Sequence, residues 1–161
     1  MDSIRIYRDL DPGEYSIEDV FVGLKGVEII RKVFSSDGEL EEVFFNTKLI
    51  LDTTSHYMHV KNEDATIVVG LDHLRNSDTT TLYLDIIHEL VHVRQQRLGL
   101  DLYDESYSYV DRPTEIEAYK VAVGEAKRLG LLYDQIMDYL RVEWISPEEH
   151  HRLASHVGLV P

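Results

Sequence analysis

Apolar positions in the second half of the chain recur at helical spacing, whereas those in the first half gather in short runs that read as strands. The clearest helix is expected over 79–98, with Ser77 or Asp78 as N-cap and Gly99 as stop. Its residues Ile86, Ile87, Leu90, Val91 and Val93 would bury it inside a core. A second helix is expected over 113–129: Pro113 marks its start, Thr114 and Glu117 can form a capping box, and Gly130 ends it. Two more are expected near 132–144 and 147–157, the last opened by Ser146-Pro-Glu-Glu149.

Upstream the pattern changes. Asp11-Pro-Gly-Glu reads as a turn, and Ser16 to about Leu24 as a short helix capped by Ser16 and Asp19. The runs Val27 to Phe34 and Val43 to Leu51 read as strands separated by a Ser35-Ser-Asp-Gly38 turn. Tyr57 to Val60 and Thr66 to Val69, flanking Asn62-Glu-Asp64, read as a hairpin that feeds directly into the approach to the 79–98 helix. The expected class is α+β: one domain with a small twisted, mostly antiparallel sheet from 1–75 and a helical half from 76–161. At 161 residues a single domain can bury a substantial core.

Charge and composition narrow the partners. A formal net charge of −14 argues against nucleic-acid and anionic-membrane binding, both of which need basic patches. No segment is long and apolar enough to span a bilayer, and Met1 to Arg8 lacks the apolar run of a signal peptide. Without cysteine the chain suits a reducing compartment, so a cytoplasmic location is the expectation.

The strongest chemical signal lies within the 79–98 helix, where His88-Glu89-Leu90-Val91-His92 matches H-E-x-x-H. Residues four apart project from one helix face, so two imidazoles can aim at one point. Glu89 sits one step round and can reach a water on a metal there without ligating it. Three fixed letters match by chance in a chain this long on the order of a few per cent of the time. The bland alternative is a buried helix with two hydrogen-bonded bystander histidines. The apolar setting weighs against it, because two histidines and an acid are costly there unless something satisfies them.

A catalytic zinc needs a third protein ligand and leaves its fourth position for water. With no cysteine, thiolates are excluded, and Gln95 and Leu98 stand where a metzincin has Gly and His. The second helix offers Glu115 and Glu117. Glu115 shares its face with Ala118, Ala122 and Ala126, small residues that permit close helix packing; Glu117 shares its face with Val121, Gly124 and Arg128, and reads as a cap. Acids also favour helix N-termini for electrostatic reasons alone, so both positions stay open on this argument.

The pairing of His88-Glu89-x-x-His92 with Glu115-Ile-Glu-Ala118 resembles the gluzincin branch of zinc metallopeptidases, particularly small single-domain and regulator-type members with a Glu-x-x-Ala motif on the second helix. The likeness spans roughly Thr66 to Gly130. It implies a zincin-like fold, Zn2+ as cofactor, His88, His92 and Glu115 as ligands, and Glu89 as catalytic base. One departure stands out: many relatives carry Asp or Asn four residues after the ligand Glu to orient a histidine, and here that residue is Tyr119. A phenol oxygen can accept from an imidazole N–H in its place.

On this reading the activity is hydrolysis of a peptide or protein substrate, with Glu89 moving the proton and an edge strand pairing with an extended peptide. Tyr109, ahead of Tyr107 and His156, is the candidate donor to the developing oxyanion. His56, His59, His73, His150 and His151 are expected on the surface or in loops. The competing functions are a non-catalytic or latent zinc-binding regulatory module and a different zinc-dependent amide hydrolase. Peptide deformylase, which shares the motif, is excluded by its cysteine ligand.

Overall fold

The computed structural model describes residues 3–159. In chain order the elements are β1 (Arg5–Ile6), β2 (Gly13–Ser16), α1 (Ile17–Val20), β3 (Phe21–Val22), α2 (Glu28–Val33), α3 (Asp37–Asn46), β4 (Lys48–Asp52), β5 (Met58–Val60) and β6 (Ile67–Gly70). There follow α4 (Leu71–Asn76), α5 (Thr79–Arg97), α6 (Pro113–Arg128), α7 (Tyr133–Leu140) and α8 (Pro147–His156), with single 3-10 turns at Leu24–Gly26 and Tyr109–Asp111. The fold is mixed α+β.

Four strands form one sheet in the order β2-β4-β6-β5, and β1 pairs with β3 in a separate ribbon. Within the larger sheet β2–β4 and β5–β6 are antiparallel and β4–β6 is parallel. The expected hairpin is present, with His59 opposite Val68. Because Tyr57 and Lys61 bond to β6, the alternating pattern turns the Met58 amide and carbonyl away from it, toward the free edge of the sheet.

Helix α5 is the centre of the molecule. Asp78 caps it, its carboxylate accepting from Thr81 N–H at 2.7 Å, and Gly99 ends it at φ +84°. Every residue from Leu82 to Val93 except Asp85 is buried, as a helix covered on all sides requires. Its broadest packing is against α6, where Ala118, Ala122 and Ala126 are buried. Truncating fully buried Leu90 to Ala is the kind of change that costs about 2–5 kcal/mol.

The first 75 residues are more helical than the sequence pattern suggested. Val27 to Phe34 is not a strand: Ile30 and Val33 are buried while Arg31 and Lys32 face solvent, a three-residue period that makes α2. Ser35 to Gly38 is no hairpin turn; Ser36 caps α3 by accepting from Glu39 N–H. The run Val43 to Leu51 accordingly divides between the end of α3 and β4. The helix expected from Ser16 shrinks to the single turn α1, with the Ser16–Asp19 capping box in place, before the chain enters β3. β6 leads at once into the approach to α5, and that approach is itself a short helix, α4. Its preceding Gly70 is needed sterically, since a Cβ there would run into the Ser55 carbonyl. In the second half α7 stops at Leu140, short of 144, and α6 lacks the Thr114–Glu117 box: Arg112 is its N-cap residue and Thr114 Oγ1 is buried without a hydrogen-bond partner.

Candidate metal centre

The i, i+4 spacing on α5 delivers His88 and His92 side by side, their rings 4.7 Å apart and nearly perpendicular. α6 brings in Glu115 from the neighbouring helix. Glu115 Oε1 lies 2.9 Å from His88 Nε2 and 3.1 Å from His92 Nε2, and the two nitrogens are 3.0 Å apart. All three side chains are buried, and theirs is the one group among the described residues that could hold a metal ion. Two nitrogens bound tetrahedrally to zinc at about 2.05 Å lie about 3.3 Å apart, so the donors need open by only a few tenths of an ångström. The residues fit the group. Glu117 is excluded from the cluster, its carboxylate accepting instead from Arg94 at 2.6 Å and Gln95 at 2.8 Å.

Burial and mutual charge set the protonation states of the metal-free site. Burial works to raise the Glu115 carboxyl, but the two histidines outweigh it and hold that group well below the usual carboxylate range. Burial pushes His88 down, against the pull of Glu115. For His92 the same burial is outweighed by Glu115, and its pKa rises. Glu89 is raised well above the ordinary carboxylate value, chiefly by burial. It is 6% exposed, and its Oε2 has no hydrogen-bond partner. A cation at the adjacent cluster would supply the positive charge that restores its ionised form.

One side chain beside the ligands was not foreseen, and a second plays a different part from the one expected. Gln95 lies on α5 with its Oε1 2.7 Å from His92 Nδ1. An amide oxygen only accepts, so His92 carries its proton on Nδ1 and turns Nε2 to the cluster. Only its place three residues after His92 in the helix could have signalled this role. Tyr119, in contrast, does not take up the histidine contact expected of it. Its hydroxyl lies 2.6 Å from the Tyr109 hydroxyl and its ring packs edge-on against the His88 ring at 4.2 Å, while His88 Nδ1 is buried without a partner.

Two cavities, of about 630 and 560 Å³, meet at the centre and share Tyr57, Met58, His88, Glu89, Tyr109 and Trp144. The Tyr57 and Trp144 rings pack in a tilted arrangement at 5.0 Å, with Tyr109 edge-on to Trp144 at 5.5 Å. Tyr109 is therefore brought to the site. Tyr107 is exposed and lines neither cavity, and His156 is bonded to Asp111. Of the histidines expected at the surface, His56 and His151 are exposed and His59 is half-buried. His150 is buried and bonds the Met137 carbonyl at 2.7 Å. His73, on α4, pairs with Asp85 at 2.7 Å inside the larger cavity.

Neither family models, curated proteins nor solved structures yield a match to this chain.

Proposed function

We propose that this chain is a zinc-dependent metallopeptidase with a zincin-like, gluzincin-type site, in which His88, His92 and Glu115 hold the metal and Glu89 is the general base. The observation that carries the reading is the Glu89 carboxylate: buried, unpartnered and beside a three-donor cluster that it does not join. A purely structural metal has no use for such a group. Two imidazole nitrogens and one carboxylate oxygen would suit zinc. When bound, zinc supplies Lewis acidity toward a carbonyl and a water that ionises near neutral pH.

The chain's own residues account for the proton traffic. The Glu89 carboxylate accepts the proton from the attacking water as the new C–O bond forms. It then delivers that proton to the amide nitrogen as the C–N bond breaks, leaving a carboxylic acid and an amine. Tyr109, half-buried and with its pKa raised well above the ordinary phenol value, chiefly by desolvation, stays protonated and can donate to the developing oxyanion. The free edge of β5, with Met58 lining both cavities, offers an extended peptide backbone a strand to pair with. Among the described residues no helix is long and apolar enough to cross a membrane, and the acidic balance of the sequence favours protein or peptide substrates over nucleic acid.

The test compares wild type with Glu89→Gln, each loaded with zinc, on a peptide library whose new termini are read by mass spectrometry. Wild type is expected to cleave and the variant to retain its metal while losing about 10²–10⁴ in rate. Equal cleavage by both removes Glu89 from the chemistry. Cleavage by neither points to the regulatory-module reading of the same site.

A further inference from the structure

The two cavities that meet at the metal centre differ in charge. The smaller carries Lys61 and Arg112 against Glu63, apart from the site's own acids. The larger carries Asp78, Asp85, Asp138 and Glu143, against Arg141 alone. Asp85 is three residues before His88 on α5, so it shares the face that bears the ligands. Glu143 is exposed and has no partner among the described residues. A second property points the same way: the larger cavity is walled by Tyr57, Tyr109, Tyr119, Tyr139 and Trp144. Aromatic faces joined to carboxylates are what a desolvated cation requires, the rings through their quadrupoles and the acids through charge. Glu89, the buried acid of the metal centre, lines the same cavity at its metal end.

We propose that the larger cavity receives the cationic side chain of a lysine or arginine next to the scissile bond, so that the substrates are basic peptides. This rests on the metallopeptidase reading. Asp85 is the principal contact within the cavity, already oriented by His73, and Glu143 adds charge at the rim. Arg141 does not close the cavity to a cation, because it is itself bonded to Asp138 at 3.0 Å.

Binding of two small hydroxamates to the zinc-loaded protein, measured by calorimetry, tests the assignment without needing turnover. N-acetyl-lysine hydroxamate and N-acetyl-norleucine hydroxamate have side chains of similar length and differ by the ammonium. The lysine compound is expected to bind on the order of tenfold more tightly. Asp85→Asn should remove most of that preference and Glu143→Gln a smaller part, while Lys61→Gln, in the other cavity, leaves it intact. Glu143 is exposed, so its variant keeps the test valid should Asp85→Asn fail to fold. Equal binding of the two compounds by wild type, or a lysine preference that survives both acid substitutions, overturns the cavity assignment alone. Failure of both compounds to bind the zinc-loaded protein overturns the open metal site as well.

Discussion

His92 Nδ1 and Gln95 Oε1 lie 2.7 Å apart on α5, and the Gln95 amide nitrogen donates across to the Thr114 carbonyl at 3.0 Å and to Glu117 at 2.8 Å. One buried glutamine thus fixes the tautomer of a metal-ligand candidate and ties it to the start of α6, one residue before Glu115. Arg94 steadies the same assembly through Glu117.

Replacing Gln95 by Leu is therefore expected to weaken zinc binding by about 10–100-fold without removing a ligand, the usual cost of losing the group that orients a metal-bound histidine. Competition against a chromophoric chelator measures it. Unchanged affinity would show that packing alone orients His92.

The two glutamates of α6 should separate sharply. Glu115→Gln removes the only carboxylate, among the described residues, that forms a cluster with both histidines and is expected to abolish stoichiometric zinc, as His88→Ala and His92→Ala should. Glu117→Gln keeps the donor set and acts only through Gln95 and Arg94, so its loss should be modest. Metal content after dialysis, read by atomic emission, decides between them; retention by Glu115→Gln with loss in Glu117→Gln would exchange the roles.

The donor cluster was legible in the sequence because helix geometry relates it directly to spacing. His88 and His92 share a face wherever α5 runs, and the alanines following Glu115 marked the close-packed side of α6. Residues whose roles depend on contacts across the fold were not legible in that way. Gln95 entered only as a mismatch to another motif, and Tyr119 was assigned to a histidine nitrogen that it does not meet. Secondary structure failed where local preference and period disagreed: Val27 to Phe34 is rich in β-branched residues, yet its buried positions follow a helical period. The Ser36 cap resembled a turn because serine and aspartate serve both purposes.

Acid should loosen the turn that carries Tyr109. Asp111 accepts from Arg152 at 2.8 and 3.0 Å and from Ser108 at 2.6 Å, and lies 2.9 Å from His156 Nε2, which joins this turn to α8. These bonds, those of Arg152 and Ser108 foremost, hold its pKa well below the ordinary 3.8. A depressed folded-state pKa means that the group's stabilisation is fully present above the unfolded value. It is lost as pH falls through 3.8 toward the lower folded value. Asp111→Asn should lower the thermal midpoint at pH 7 and flatten its dependence on pH below about 4. A variant with an unaltered acid profile would place that sensitivity elsewhere.

Tyr109 and Tyr119 offer the most direct probe of how the site treats the transition state. Their hydroxyls are 2.6 Å apart, and only Tyr109 lines both cavities. If the Tyr109 hydroxyl donates to the developing oxyanion, Tyr109→Phe should lower kcat by about 10²–10³ with little change in KM, since that bond strengthens only as charge appears. Tyr119→Phe removes the partner but not the donor, so it should cost less and also act through kcat. Both variants keep the three donors and should bind zinc at full stoichiometry, which separates a catalytic loss from a metal loss. A rise in KM with kcat unchanged in Tyr109→Phe would instead make this residue part of the ground-state binding surface, and the oxyanion donor would have to come from another group.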